Sequence, residues 1–310
     1  LNEVGTDTGF ASALSVVIIL IALIVLFIQK RFVDSKSYNM TSLRPPKVIE
    51  LSKPKKILAT AVVFLVSFLS VLPQITVTIQ SFLKTNGPLF VKGFSLESYR
   101  LVAGKLSQSI TNTFVYAFIA LILIIILGLL GAYLIVRKKG TVSNLIDLML
   151  MFPYVIPGAV LGICLTVSFN QKPILLTGTM WIIILSFVIR KLPYTMRSSI
   201  GILYQIDRSV EEASISLGVP NMKTFFKTTV PLMIPGVISG GILSLISVMN
   251  TLSATLILYT GTTVTIPVAI FNCVNNDAYG QAAALSTILT LATVICLLVF
   301  NKVSGGKNVV

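Results

Sequence analysis

The sequence predicts an all-α polytopic membrane protein, with one transmembrane helix preceding a six-helix transmembrane domain. Of its 310 residues, 55% are hydrophobic and 11% are charged, and the mean hydropathy is +0.94. A soluble domain carries about a quarter charged residues, so this composition leaves too little polar surface to face water. The apolar residues also form long runs, which excludes a large soluble catalytic domain.

Apolar runs of spanning length are predicted to be helices, because the backbone in hydrocarbon must satisfy its own hydrogen bonds. The alternation typical of β-barrel strands is absent from runs such as Ala120–Leu130. Pro153 and Pro157 are expected to kink the fourth span. Gly128, Gly131, Gly236 and Gly240 are expected to let helices approach closely. The seven predicted spans cover about 10–29, 57–80, 110–136, 145–169, 174–190, 232–258 and 281–301.

The basic residues predict the orientation. If the first span ends in the cytoplasm, 19 of the 24 Lys and Arg residues lie on that side. Cytoplasmic loops are enriched in Lys and Arg, so the 190–231 connection is predicted to be cytoplasmic. The net charge of +14 is scattered between apolar runs, which favours contact with an anionic lipid bilayer and no nucleic acid.

The residue inventory offers little chemistry of its own. There is no His, and Cys164, Cys273 and Cys296 lie far apart, so no metal site, no cofactor and no catalytic residues are predicted. An ATP-binding Gly-x-x-x-x-Gly-Lys-Ser/Thr loop is also missing from the sequence. The chain is therefore expected not to be an enzyme, and any ATP hydrolysis is expected on another polypeptide.

Acidic residues fall outside the predicted spans, except Asp147 near the start of the fourth. A secondary transporter coupled to protons or sodium normally needs a charged or strongly polar group at the midplane. An intramembrane enzyme needs a catalytic set within the spans. Both remain alternatives, but the residues favour a transport protein whose energy comes from a partner.

The loop 207–231 has the pattern of two short helices joined by a turn. Asp207 or Ser209 is predicted to cap the first helix, and Ser209 with Glu212 has capping-box spacing. Gly218 is expected to end that helix in a left-handed cap, with Pro220 beyond it. A second helix is predicted from Asn221, with Met222, Phe225, Phe226 and Val230 on one face, before Pro231 opens the next span.

This loop resembles the EAA loop of type I ABC importer permeases. Their pattern is Glu-Ala-Ala, three residues, Gly, nine residues, Ile, one residue and Leu-Pro. Here Glu212-Ala213-Ser214, Gly218 and Pro231 stand at those positions, with Thr228 in place of Ile and Val230 in place of Leu.

The resemblance covers roughly residues 57–303, which look like the permease unit of methionine importers. Leu252-Ser-Ala-Thr-Leu256 and Asp277-Ala-Tyr-Gly280 are similar to the C-terminal half of fused ferric-iron permeases. Because the chain opens with Leu1 and an acidic stretch, we expect it to begin inside a longer polypeptide. The alternative is a free-standing seven-span protein. The expected organisation is 1–35 as the tail of a preceding unit, 36–56 as a cytoplasmic linker, 57–303 as the transmembrane domain and 304–310 as a cytoplasmic tail.

The resemblance implies a permease of a bacterial inner membrane that works with ABC ATPase subunits, an extracytoplasmic solute-binding protein and a second permease unit, fused N-terminally. Ferric iron is the preferred solute; a phosphonate, a polyamine or thiamine is the alternative. The ATPase-coupling residues it implies are Glu211, Glu212, Ala213, Ser214, Gly218 and Pro231.

Polar residues near the end of the sixth predicted span are candidates for lining the path. The same residue types in membrane helices commonly bond to neighbouring helices or to their own backbone, and that alternative remains open. The candidate pore-lining residues are Asn250, Thr251, Ser253 and Thr255.

Overall fold

The computed structural model describes residues 52–138 and 140–303, together with residues 16, 17, 20, 21 and 24. The chain divides into two compact units, Leu1–Gln80 and Ser81–Val310. Apart from the five isolated positions and residues 52–56, the predicted first span at 10–29 and linker at 36–56 lie outside the described residues. The predicted tail at 304–310 lies outside them as well.

The described part of the first unit is helix α1, Lys53–Ser81, whose last residue belongs to the second unit. Its basic residues are confined to the first turn and the rest is almost wholly apolar. At a rise of about 1.5 Å per residue it is about 43 Å long, enough to cross a bilayer. The span predicted at 57–80 is confirmed.

The second unit is built mainly of helices, with two short hairpins. Each hairpin is a two-stranded antiparallel sheet. Its elements in chain order are β1 (Leu83–Asn86), β2 (Leu89–Phe94), α2 (Glu97–Lys105), α3 (Ser107–Arg137), α4 (Thr141–Val155), α5 (Gly158–Ser168), β3 (Asn170–Gln171), β4 (Ile174–Leu175), α6 (Met180–Gln205), α7 (Ser209–Ser216), α8 (Asn221–Thr224), a π-helical turn (Phe225–Thr229), α9 (Val230–Met249), α10 (Thr255–Leu258), α11 (Ile266–Asn275) and α12 (Tyr279–Val303).

Within the described residues, four helices are long and apolar enough to span a membrane: α1, α3, the continuous helix Asn221–Met249 and α12. The α4–α5 pair would make a fifth span, bent by 108° at the break that contains Pro157. The predicted kink is confirmed at Pro157, whereas Pro153 lies inside α4. Its size follows from the absent N–H of Pro157 and its extended backbone, which end one helix and start another.

The span predicted at 174–190 is wrong at both ends. Ile174 lies in a hairpin strand, and α6 runs from Met180 to Gln205, past Arg190, Lys191 and Arg197. Those charges made the run look like a loop. The structure instead packs the apolar residues on both sides of them, including Ile184 and Leu203, into the interior.

The span predicted at 232–258 is also too long. Helix α9 ends at Met249, and a separate turn of helix begins at Thr255. The Asn250 side chain donates to the Ile246 carbonyl at 2.8 Å, and the Thr251 hydroxyl donates to the Ser247 carbonyl at 2.7 Å. These bonds satisfy carbonyls of the last turn, so the helix stops there without leaving them unpaired.

The core lies between α3, α6, α9 and α12. Close approach of α6 and α9 depends on glycine: a Cβ at Gly240 would lie 2.6 Å from the Thr195 Cα. A Cβ at Gly128 on α3 would lie 3.1 Å from the Thr195 side chain. The prediction that these glycines bring helices together is confirmed, and α6 is the helix that they surround.

Asn112 on α3 holds the loop before α11. Its amide nitrogen donates to the carbonyls of Thr262 at 3.0 Å and Val264 at 2.9 Å. We expect Asn112→Leu to lower the free energy of unfolding by about 1–3 kcal/mol, because it leaves two carbonyls without this donor. Thermal unfolding in detergent measures it. The control is Gln108→Leu, which removes one exposed bond to Thr262 at 3.2 Å; equal losses in both variants would contradict the assignment.

Candidate functional site

The coupling segment, residues 207–231, begins with a turn at Asp207. The Asp207 Oδ1 atom accepts the backbone N–H of Ser209 at 2.8 Å. This bond and a second one from the Ser209 side chain hold the pKa of Asp207 below its usual range, so the residue stays charged at the start of α7. The predicted Ser209–Glu212 capping box is wrong: the N-cap residue is Arg208, and Glu212 pairs with it at 3.2 Å.

The turn at Gly218 closes α7 as predicted. Its φ of +83° is in the left-handed region, which favours glycine. The Gly218 N–H donates to the Ile215 carbonyl at 2.9 Å, and the Val219 N–H to the Ser214 carbonyl at 3.2 Å. This is the Schellman arrangement, which satisfies the last carbonyls of α7 and reverses the chain direction.

The second arm starts at Asn221, as predicted, but does not stop before Pro231. Helix α8 continues through the π-helical turn into α9, where Pro231 lies in the first turn. Proline has no N–H and its ring clashes with the carbonyl four residues earlier, that of Lys227. The wider turn accommodates this: the Val230 N–H bonds to the Phe225 carbonyl, five residues back.

The predicted apolar face of the second arm is only partly buried. Phe225 is 5% exposed and packs edge-on against Tyr133 of α3, with ring centroids 4.6 Å apart. Met222 and Phe226 remain exposed. The two arms are joined by a hydrogen bond of 3.0 Å between the Ser214 and Thr224 hydroxyls.

The two neighbouring glutamates of α7 have different surroundings. Glu211 is 7% exposed, and its Oε1 accepts the Arg137 Nε–H at 3.0 Å. Arg137 also donates to the Ile206 carbonyl at 3.1 Å, so the end of α3 is bonded to both sides of the bend before α7. Glu212 is exposed, and its carboxylate pairs with Arg208 at 3.2 Å.

An exposed apolar surface remains at the tip of the coupling segment. It consists of Leu217, Met222 and Phe226, and Leu217 is 85% exposed. Exposed apolar side chains of this size are typical of a surface that contacts another protein. Ala213 and Ser214 lie on the helix behind this tip.

Three of the four candidate pore residues, Asn250, Thr251 and Ser253, line an open cavity of about 640 Å³. Thr251 and Thr255 are largely buried, and their hydroxyls donate to backbone carbonyls four residues earlier.

Two further residues of that cavity, Arg190 and Lys191, are not among the predicted pore-lining residues, because their charges place them in the predicted 190–231 connection. The available signal was the apolar spacing that resumes after them at Met196, Ile200 and Leu203. Within residues 52–138 and 140–303, no group of three or more His, Cys, Asp or Glu side chains is placed to hold a metal ion.

The helices and the projecting bent segment define a multi-pass membrane protein of the transport class. Residues 124–305 match the family described as "Binding-protein-dependent transport system inner membrane component". The chain belongs to this family. A chain of a bacterial ABC transporter involved in the import of the acidic polysaccharide alginate has the same fold, with a TM-score of 0.66, 14% identity, and 81% of this chain and 96% of that chain covered. The fold is that of type I ABC importer permeases, as the resemblance implied.

Two relatives are permeases that are named for different solutes. The ferric transport system permease protein FbpB of Actinobacillus pleuropneumoniae is 31% identical over 98% of this chain and 45% of its own length. The putative 2-aminoethylphosphonate transport system permease protein PhnV of Salmonella paratyphi A is 25% identical over 79% of this chain and 92% of its own length. The chain thus spans less than half of the ferric relative.

Proposed function

We propose that the chain is the permease part of an ATP-driven, binding-protein-dependent importer, and that it forms the path for a small solute. The observation that carries this proposal is the coupling segment, a short helix fixed to α3 at its base with an exposed apolar tip. The chain itself is not an enzyme in this proposal; ATP hydrolysis occurs on a separate ABC ATPase subunit, and relatives of this family support that division.

The coupling segment transmits movement because its base is bonded to α3 and its tip is exposed. The Arg137–Glu211 pair fixes the base, and the Ser214–Thr224 bond keeps the two arms together. A rigid element that is pushed at one end moves as a body. Glu212 supplies polar contact to the ATPase, Ala213 and Ser214 allow close approach, and Gly218 and Pro231 shape the bend.

The remaining partners and the orientation are part of the same proposal. The coupling segment faces the cytoplasm of a bacterial inner membrane, since 16 of the 24 basic residues fall on that side even when Arg190, Lys191 and Arg197 of α6 are left out. An extracytoplasmic binding protein delivers solute to the opposite side. Residues 57–303 form the transmembrane domain, and a second permease unit precedes the chain, with 1–35 as its last helix, 36–56 as the linker and 304–310 as the cytoplasmic tail.

Ferric iron is the proposed solute, supported by the ferric permease that aligns along nearly the whole chain. A phosphonate is the second candidate, supported by the 2-aminoethylphosphonate permease. Asn250, Thr251 and Ser253 are proposed to line the path, since they line the cavity, whereas Thr255 bonds to the Thr251 carbonyl and does not line it.

Two variants of the coupling segment test the proposal in the full permease with its ATPase and binding protein. Glu212→Arg reverses the exposed charge, and Gly218→Pro forces φ away from +83°. Both are expected to insert into the membrane normally and to lower ATP-dependent solute uptake about tenfold or more. Glu212→Gln is the milder control and is expected to retain more uptake than Glu212→Arg.

A crosslink supplies the second measurement. A cysteine placed at Leu217, the most exposed residue of the tip, is expected to crosslink to the ATPase subunit. Normal uptake in both Glu212→Arg and Gly218→Pro, or capture of an extracytoplasmic protein instead of the ATPase, would show that the assignment is wrong.

A further inference from the structure

Arg190 and Lys191 lie at the middle of α6, at the same level as the centre of the neighbouring apolar helix α3. Helices α3 and α6 run parallel, because Gly128 lies beside Thr195 and Arg137 bonds to Ile206. Arg190 is therefore level with about residue 123 of α3, some 20 Å from Arg137 at the helical rise per residue. A charge at that depth in a spanning bundle is costly and is functional by default.

Neither cation is neutralised by an acidic side chain in the described part of the chain. The ion pairs found there are Arg137–Glu211, Arg197–Asp147 and Arg208–Glu212. The cavity that contains Arg190 and Lys191 has no acidic residue among its described lining residues. Two adjacent positive charges therefore face one cavity, with the Lys191 Nζ atom 5.9 Å from the centre of the Tyr194 ring.

The Arg190 guanidinium is positioned but not saturated. Its Nη1 donates to the Ser253 Oγ at 3.2 Å. Its Nε is buried and has no hydrogen-bond partner among the described residues. A buried donor without an acceptor carries the full cost of leaving water. The other bond, from Nη1, goes to a neutral hydroxyl, so the positive charge of the guanidinium is not balanced by an acceptor of opposite charge.

Gly158 leaves room for the Arg190 guanidinium because it has no side chain. A Cβ at this position would overlap the Ser253 Oγ and the Arg190 Nη1. The start of α5 is thus packed directly against the Arg190–Ser253 pair. Because Gly158 follows the 108° break, the bend of the α4–α5 pair and the placement of Arg190 are parts of one arrangement.

We propose that this cavity binds an oxyanion, such as a phosphate, phosphonate or carboxylate group, within the translocation path. Arg190 binds it with its planar fork of donors, Lys191 with a point charge, and Asn250 and Ser253 complete the polar wall. The inference rests on the proposed transport function and narrows its solute. A bare ferric ion is repelled by two cations, so iron crosses this site only with a bound oxyanion.

Binding to the purified full permease in nanodiscs tests the site without the ATPase. The probes are radiolabelled inorganic phosphate and 2-aminoethylphosphonate. Arg190→Gln is expected to weaken binding of at least one probe by about tenfold or more, the usual worth of a charge-assisted bond. Gly158→Ala keeps both charges but displaces the guanidinium, and is expected to weaken binding as well.

The matched control is Arg197→Gln, which removes one positive charge from the same helix. Arg197 pairs with Asp147 at 2.9 Å and does not line the cavity, so binding is expected to stay within about twofold. Thermal unfolding of each variant verifies folding. Absence of binding of either probe to the folded wild type, or equal binding by wild type and Arg190→Gln, would overturn the proposal.

Uptake into proteoliposomes that contain the complete transporter identifies the source of the oxyanion. Entry of labelled phosphate together with ferric iron indicates an anion that accompanies the metal, and entry of either probe without iron indicates that the oxyanion is the solute. Both outcomes support the site. Stimulation of ATP hydrolysis by the binding protein reports separately on the proposed function, so failure of one leaves the other measurable.

Discussion

Gly240→Ala is expected to force α6 and α9 apart locally and to destabilise the protein, although it adds only one methyl group. The new Cβ would lie 2.6 Å from the Thr195 Cα, 2.8 Å from the Ser198 Cβ and 2.9 Å from the Tyr194 carbonyl oxygen. Two of these are backbone atoms, which have no rotamer that moves them away. Overpacking costs about 1–3 kcal/mol, and we expect the upper end of that range here because the backbone must shift.

The adjacent residue provides the matched control. A Cβ at Gly241 would lie 3.6 Å from side-chain atoms of Ile125 and Leu121, which is ordinary contact. Alanine is favoured over glycine inside a helix by about 0.5–1 kcal/mol, so Gly241→Ala is expected to be neutral or stabilising. Thermal unfolding in detergent compares the two variants. A Gly240→Ala protein as stable as Gly241→Ala would contradict the described packing.

Glu211→Ala is expected to abolish coupled transport and to destabilise the bend before α7. It leaves the Arg137 guanidinium, which is about 11% exposed, without its carboxylate partner. Removing one member of a buried pair costs about 3–5 kcal/mol, because the remaining charge is neither solvated nor neutralised. We expect ATP hydrolysis and solute uptake to fall together, since α7 is no longer fixed to α3.

Glu212, the exposed glutamate, is the control that separates loss of the buried Arg137–Glu211 pair from a general effect of removing a negative charge. Glu212→Ala removes an exposed pair, worth about 1 kcal/mol or less, so its stability is expected to be nearly unchanged. The exchange Arg137→Glu with Glu211→Arg is expected to recover part of the stability lost in Glu211→Ala. If Glu211→Ala and Glu212→Ala unfold at the same temperature, the buried pair does not anchor the segment.

The sequence predicts the elements that depend on composition and local geometry. The run at 110–136 is uninterrupted and apolar, and the structure has one helix there, Ser107–Arg137. Gly218 is predicted as a left-handed cap because a helix pattern ends there and Pro220 follows, and the structure confirms this conformation. Both features depend on residues that are close in the sequence, so they can be predicted without knowledge of tertiary contacts.

Features that depend on long-range packing were not predictable. Glu211 and Glu212 are adjacent and chemically identical, and only the position of Arg137, 74 residues earlier, makes one an anchor and the other exposed. Arg190 and Lys191 were placed in a loop because counting charges treats them as boundaries. They remain in a helix because the apolar residues on both sides of them, such as Ile184 and Leu203, pack into the interior, while the two charged side chains line an open cavity.

The continuity of the helix Asn221–Met249 has a mechanical consequence. Its 29 residues form one shaft about 43 Å long, with Met222 of the exposed tip at one end and Asn250 of the cationic cavity just past the other. The helix continues through the π-helical turn and past Pro231 and Pro235. A displacement of the exposed tip is therefore expected to be transmitted along this helix to the residues that line the cavity.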